Sequence, residues 1–169
     1  MIHLEPMTAE ELERFLERSI PEYAADHVRD GQWNEAESIE RSREEHRQLL
    51  PQGVESPDNF LRTIRDETGR RVGELWYNWD TEAARPQLFI YWIGIDAAYR
   101  RRGYGEAAMG LIEAEARRLG AERIALHVFG GNRVAQSLYA KLGYVPTNVL
   151  MAKRLTATEA PATPGSPRP

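Results

Sequence analysis

The spacing of apolar residues along the first third of the chain predicts helices. Apolar positions three or four residues apart run through residues 12–20, as on one face of a helix. Thr8 and Glu11 have the spacing of a capping box at its start. Pro21 predicts a break or a kink, because proline lacks the amide hydrogen that a helix interior needs. A second, highly charged helix is predicted from a cap at Asn34 to about Leu50.

The pattern becomes extended after residue 58. The segments "NFLRTIRD" and "RVGELWYNW" flank the turn "ETGR" and predict a hairpin. The nearly continuous apolar run "QLFIYWIGI", residues 87–95, predicts a central strand covered on both faces. Helical patterns ending at Gly120 and Gly143 enclose a predicted buried strand, "RIALHVF". A first strand, "IHLEP", and a last one, "YVPTNVLMAKRL", complete the prediction.

This order of elements predicts one mixed α/β domain over residues 1–155. The remaining residues, 156–169, are rich in proline, serine and threonine, and we predict a disordered tail for them.

The composition of the chain excludes several classes of site and partner. The chain of 169 residues has no cysteine and a net charge of −4. It therefore has no disulfide, no thiolate metal site and no cysteine nucleophile. The acidic balance argues against nucleic acid as a partner. No apolar run is long enough for a membrane span and the first residues do not resemble a secretion signal, so we expect a cytoplasmic protein without a membrane partner.

The stretch "YRRRGYGEAAM", residues 99–109, carries the candidate chemistry. Three arginines and two glycines precede a predicted helix, where backbone amides and the helix dipole favour anions. On spacing alone, the stretch is either a tight turn with a solvated charge run or a phosphate-binding loop. It has no lysine and serine or threonine of a Walker loop, and the three-glycine dinucleotide fingerprint is incomplete.

Two blocks together resemble the GCN5-related N-acetyltransferase (GNAT) family. Arg100, Gly103 and Gly105 match its acetyl-CoA signature, Gln/Arg-x-x-Gly-x-Gly/Ala. The second block is matched by Asn132, Ala135, Leu138-Tyr139 and Gly143-Tyr144. The resemblance covers the chain up to the tail and favours the phosphate-binding loop. It implies a mixed, mostly antiparallel sheet with a splayed central strand flanked by helices.

The resemblance also implies how acetyl-CoA binds. The backbone around Ile93 and Ile95 would bond the pantetheine amides, as in strand addition. Asn132 would contact the pantetheine arm or stabilise its loop, besides capping a helix. The pyrophosphate would be held by the loop that comprises Arg100, Arg101, Arg102, Gly103, Tyr104, Gly105 and Glu106.

The family's reaction is direct acyl transfer from a thioester to an amine. Tyr139 stands at the family's general-acid position and would protonate the leaving thiolate; the alternative is a core tyrosine. The central strand has no carboxylate, which puts a base on that strand in doubt. Glu74, on the neighbouring strand, is the candidate base. The alternatives are a water relay or a substrate that arrives already neutral, with Glu74 then a solvent-facing strand residue. His127 is expected to be a hydrogen-bonded structural residue, and a base is the alternative.

The resemblance implies that the acceptor is a small-molecule or peptide amine. In this family the N-terminal helices and the hairpin wall the acceptor cleft, and candidates to line it are Tyr23, His27, Trp33, Trp76 and Trp79. A homodimer is compatible with the family. The rival interpretation is a non-catalytic member that binds acyl-CoA or a protein, which the missing strand carboxylate favours.

Overall fold

The computed structural model describes residues 1–153, which form one five-stranded sheet with helices on both faces. The elements are β1 (Ile2–Pro6), α1 (Ala9–Arg29), α2 (Glu35–Leu49), β2 (Asn59–Asp66), β3 (Arg71–Asp80), β4 (Gln87–Ile95), α3 (Tyr104–Leu119), β5 (Arg123–Leu126) and α4 (Arg133–Lys141), with short 3-10 turns at Gly53–Glu55 and Ala97–Tyr99. The sheet order is β1-β2-β3-β4-β5. Only β4 and β5 are parallel, because α3 returns the chain between them. The predicted mixed, mostly antiparallel fold is confirmed.

Two apolar cores hold the helices to the sheet. One face of the sheet packs against α3 through Ala108, Met109 and Ile112, which are fully buried against Leu75 and Leu88. The opposite face packs against α1 and α2 in a second core. Its buried members are Met7, Leu12, Phe15, Leu50, Leu61 and Trp76.

The predicted helix starts are confirmed, and of the break or kink predicted at Pro21 the break does not occur. Thr8 and Glu11 form both hydrogen bonds of the capping box, at 3.2 and 3.0 Å. The helix α1 then continues through Pro21 to Arg29. Packing on both sides of the proline outweighs its missing hydrogen bond, since α1 is buried before it at Phe15 and after it at Ala24.

The C-terminal strand predictions need two corrections. The strand β5 ends at Leu126, and residues 127–129 form no strand. Residues 144–153 are not a strand either. Their apolar residues satisfy a strand pattern, but Val145, Val149 and Leu150 are exposed because they have no sheet face to pack on. The predicted tail, 156–169, lies outside the described residues.

The strand β4 separates from β5 halfway along its length. Pairing with β5 covers Gln87 to Ile90, whereas pairing with β3 continues to Ile95. An irregularity opposite Trp76 places Tyr91 as an extra residue in β4, and such bulges bend a strand. The second half of β4 is therefore only half-buried, and the expected burial on both faces holds for its first half alone. Within residues 1–153, every helix is too short or too polar to cross a bilayer.

Candidate active site

The turn before α3 presents unpaired backbone amides. Arg101 and Gly103 have left-handed backbone angles, φ +60° and +80°, and Gly103 is the N-cap of α3. The first helical hydrogen bond is donated by Ala107 to the Gly103 carbonyl, at 2.9 Å. The amides of residues 104–106 therefore have no helix carbonyl to pair with, and Gly103 offers no side chain to cap them. Such a turn is an anion-binding geometry.

The charged side chains of this turn differ in their partners. Arg100 donates through Nε to the carbonyl of Ile95, at 2.9 Å, which fastens the turn to the end of β4. Arg102 lies over the ring of Tyr99, 5.6 Å from its centroid. Glu106 pairs with Lys141 of α4 at 2.6 Å, so its negative charge beside the amides is compensated. Arg101 and Arg102 are exposed and add positive charge to the turn.

The open edge of β4, the start of α3 and α4 meet at one point. A Cβ atom added to Gly105 would lie 3.4 Å from Leu138 and 3.9 Å from Ile95, so the start of α3 lies within van der Waals reach of both side chains. Ile93 and Ile95 turn their side chains toward the α3 core. The structure thus brings the predicted residues of β4, the turn and α4 together.

The helix α4 contributes two further predicted residues. Asn132 caps it, accepting a hydrogen bond from the Ala135 amide at 3.2 Å, as expected from the sequence. Tyr139 is half-buried and packs against the α3 core, and this burial raises the pKa of its phenol. Its ring lies 5.8 Å from the ring of Tyr144, whose hydroxyl is buried and has no partner among residues 1–153. Burial likewise raises the pKa of Tyr144 to about 12.

Glu74 lies in a buried ion-pair network. Its side chain is 3% exposed, and its two oxygens contact Arg18 and Arg71. The same arginines bind Asp96, at 3.4 and 3.1 Å. Opposite Glu74 on β4 is Gly94. The network therefore connects α1, β3 and the end of β4, and the alternative of a solvent-facing strand residue does not hold for Glu74.

Sequence reasoning did not find this network, although one signal was present. Arg18 follows the buried positions Leu12 and Phe15 at helical spacing, so a charge falls on the face that packs against the sheet. A charge in that position calls for a buried partner. The strand register that supplies Glu74 and Asp96 follows from irregular pairing, which composition does not reveal.

A surface of aromatic rings extends from α1 to the opening between β4 and β5. We call it the aromatic surface; its members are Tyr23, His27, Trp33, Phe89, Tyr91 and Phe129. His27 stacks on Trp33 at 4.0 Å, and Phe129 meets His27 edge-on at 5.0 Å. Trp76 lies beneath and stacks with Tyr91 at 4.7 Å. Trp79 packs with the α3 core, on the other face of the sheet.

His127 follows the last residue of β5. It is exposed, and its ring meets the edge of Phe89 at 5.6 Å. No hydrogen bond of its side chain occurs within residues 1–153, so the expected structural histidine is not found there. The strand ends before this position and leaves the side chain at the surface.

Comparison with known proteins identifies the family. The profile of the acetyltransferase (GNAT) family matches residues 15–144. The chain is 38% identical over 152 residues to the uncharacterized N-acetyltransferase YdgE of Bacillus subtilis, covering 90% of this chain and 97% of that one. It is similarly related to YycN of Bacillus subtilis, an uncharacterized N-acetyltransferase. The crystal structure of YycN covers 92% of this chain and 99% of its own, with a TM-score of 0.88 and 33% identity.

A more distant neighbour shares the fold alone. The crystal structure of an aminoglycoside 6'-N-acetyltransferase from Acinetobacter baumannii has a TM-score of 0.56 at 16% identity and covers 94% of this chain and 100% of its own. Together with the family profile and the two relatives from Bacillus subtilis, the fold and its open strand edge lead to one assignment. The chain belongs to the acetyltransferase (GNAT) family and is an enzyme of the N-acetyltransferase class.

Proposed function

We propose that this enzyme transfers an acetyl group from acetyl-CoA directly to the amine of a small molecule. The observation that carries the proposal is the contact of the open β4 edge with the amide-rich start of α3. An extended amide-containing arm fits the open edge as an additional strand. A pyrophosphate fits the unpaired amides of residues 104–106 and the positive charge of Arg101 and Arg102.

The reaction proceeds by direct attack. The neutral amine nitrogen adds to the thioester carbonyl and forms the C–N bond, the nitrogen then passes its extra proton to water, and the C–S bond breaks to release the CoA thiolate. A backbone amide near Ile95 on the open edge stabilises the oxyanion of the tetrahedral intermediate. Tyr139 donates its phenol proton to the thiolate. Burial raises the pKa of this phenol, so the proton is present throughout the neutral range but is released less readily than from an exposed tyrosine.

The attacking amine must first lose a proton. Glu74 remains a predicted acceptor, but both of its oxygens already contact arginines, so an ion pair must open before either oxygen takes a proton. Water, the alternative left open by the sequence, meets no such condition. We therefore propose that water accepts the amine proton and that Glu74 fixes the end of β4 through Arg18 and Arg71.

Calorimetric titration with acetyl-CoA tests the proposal. The wild type should show saturable binding to acetyl-CoA and none to NAD. Gly103→Val places a β-branched residue at φ +80°, which costs about 1–2 kcal/mol in the left-handed region, so the turn that presents the amides is strained although an added Cβ atom meets nothing within 4 Å. We expect affinity to fall at least about 10-fold.

The matched control is Gly110→Ala. Gly110 lies within α3, has no left-handed angle and has nothing within 4 Å of an added Cβ atom, so acetyl-CoA affinity should not change. Wild-type protein that fails to bind acetyl-CoA refutes the proposed donor. Equal affinity in Gly103→Val and Gly110→Ala refutes the binding mode.

A further inference from the structure

The aromatic surface differs from ordinary core because its rings remain partly accessible. Tyr91 is 38% exposed although it stacks on Trp76, so one of its faces is covered and the other is open. It meets the edge of Phe89 at 4.9 Å. Tyr23, His27 and Trp33 are half-buried. A buried core would enclose these rings completely, whereas the rings of the aromatic surface are only partly covered.

The position of Tyr91 connects the aromatic surface to the proposed acyl-transfer site. Tyr91 is the first residue of β4 after its pairing with β5 ends at Ile90. The open edge, on which the acetyl-pantetheine arm would lie, therefore begins at an exposed aromatic ring. A molecule resting on the aromatic surface would have its amine close to that edge.

Two carboxylates beside the aromatic surface already have partners. Glu45 acts on Tyr23, whose pKa burial and this carboxylate raise to about 12, and it pairs with Arg41 at 3.5 Å. Asp80 acts on Tyr91, but its oxygens accept hydrogen bonds from the amides of Glu82 and Ala83 and from the Gln87 side chain, at 3.0–3.1 Å. Asp30 also acts on His27 and is the one such carboxylate that has no side-chain partner within residues 1–153, so the aromatic surface offers a substrate with several positive charges a single free carboxylate, at its α1 end.

We propose that the acceptor is an arylalkylamine, a single amine on a short chain attached to a flat aromatic ring, bound on the aromatic surface with Tyr91 as a specificity-determining residue. The inference rests on the proposed function. A flat ring makes stacked and edge-on contacts with Tyr91 and Phe89, which stabilise aromatic pairs beyond the burial of their area. A protonated amine gains from the same ring faces as it approaches.

The test compares two amines that differ in the ring alone. Release of CoA thiol is measured with 2-phenylethylamine and with 2-cyclohexylethylamine, and spermidine and kanamycin serve as polycations. We expect kcat/KM to be highest for 2-phenylethylamine. Tyr91→Leu keeps an apolar side chain but removes the ring, and it should lower the preference for phenyl over cyclohexyl by about 3-fold to 10-fold.

The control is Ile39→Ala, a 42% exposed position on α2 outside the aromatic surface, which should keep that preference. Direct binding of 2-phenylethylamine in the presence of CoA is followed by saturation-transfer NMR. If the protein binds acetyl-CoA, any of three results overturns the inference and leaves the proposed donor standing. They are the absence of a 2-phenylethylamine signal, better turnover of a polycation or of the cyclohexyl amine, and an unchanged phenyl preference in Tyr91→Leu. Absence of acetyl-CoA binding refutes the proposed function itself.

Discussion

Replacing Arg18 by methionine should destabilise the fold measurably. The substitution keeps most of the apolar stem but removes the cation that contacts Glu74 and Asp96. Breaking one side of a fully buried pair costs about 3–5 kcal/mol. Arg18 is 36% exposed and Arg71 stays beside both carboxylates, so water and Arg71 compensate in part. We therefore expect the free energy of unfolding to fall by about 1–2 kcal/mol.

Urea unfolding at neutral pH, followed by tryptophan fluorescence, measures this loss. Arg14→Met is the matched control, because Arg14 lies on the same helix and pairs with Glu10 where both side chains are more than half exposed. Such a pair contributes about 0–1 kcal/mol. The double variant Arg18→Met/Glu74→Gln should recover part of the loss, since it also removes the buried negative charge. An Arg18→Met variant as stable as Arg14→Met would refute the reasoning.

Two further predictions concern a phenol and a buried imidazole. Tyr139→Phe should lower kcat by about 10-fold to 10³-fold with little change in the calorimetric affinity for acetyl-CoA; an unchanged kcat would remove Tyr139 from the mechanism. Burial lowers the pKa of His46 below its ordinary 6.5, so the folded state binds that proton less readily than the unfolded chain, and stability present above pH 6.5 is lost as the pH falls toward the lowered value. Urea unfolding at neutral and mildly acid pH should show that His46→Gln loses less free energy of unfolding on acidification than the wild type does. An equal loss in both proteins would contradict this prediction.

Local patterns in the sequence predicted most of the fold. The capping box at Thr8 and the hairpin around residues 67–70 depend on neighbouring residues and were confirmed. The failures occurred where distant packing decides. Pro21 is tolerated because tertiary contacts on both sides hold the helix, and residues 144–153 satisfy a strand pattern without gaining a strand partner.

The same contrast between local patterns and distant packing holds for the candidate site. Glycine and arginine spacing before α3 predicted a turn of free amides, since a left-handed Gly103 and a helix start are local features. The arginine network and the aromatic surface required strand register and helix placement. Tyr91 illustrates this: its exposure results from a bulge in pairing with β3 and the end of pairing with β5, neither of which is encoded in its immediate neighbours.

The half-paired strand β4 has a consequence for hydrogen exchange. Amides that point toward β3 are locked in a ladder along the whole strand, whereas those that point the other way are locked only from Gln87 to Ile90. Beyond Ile90, protected and rapidly exchanging amides should alternate residue by residue. A ligand that takes the place of the absent strand would slow only every second amide. The deuterium pattern of one strand would thus record which edge a ligand occupies.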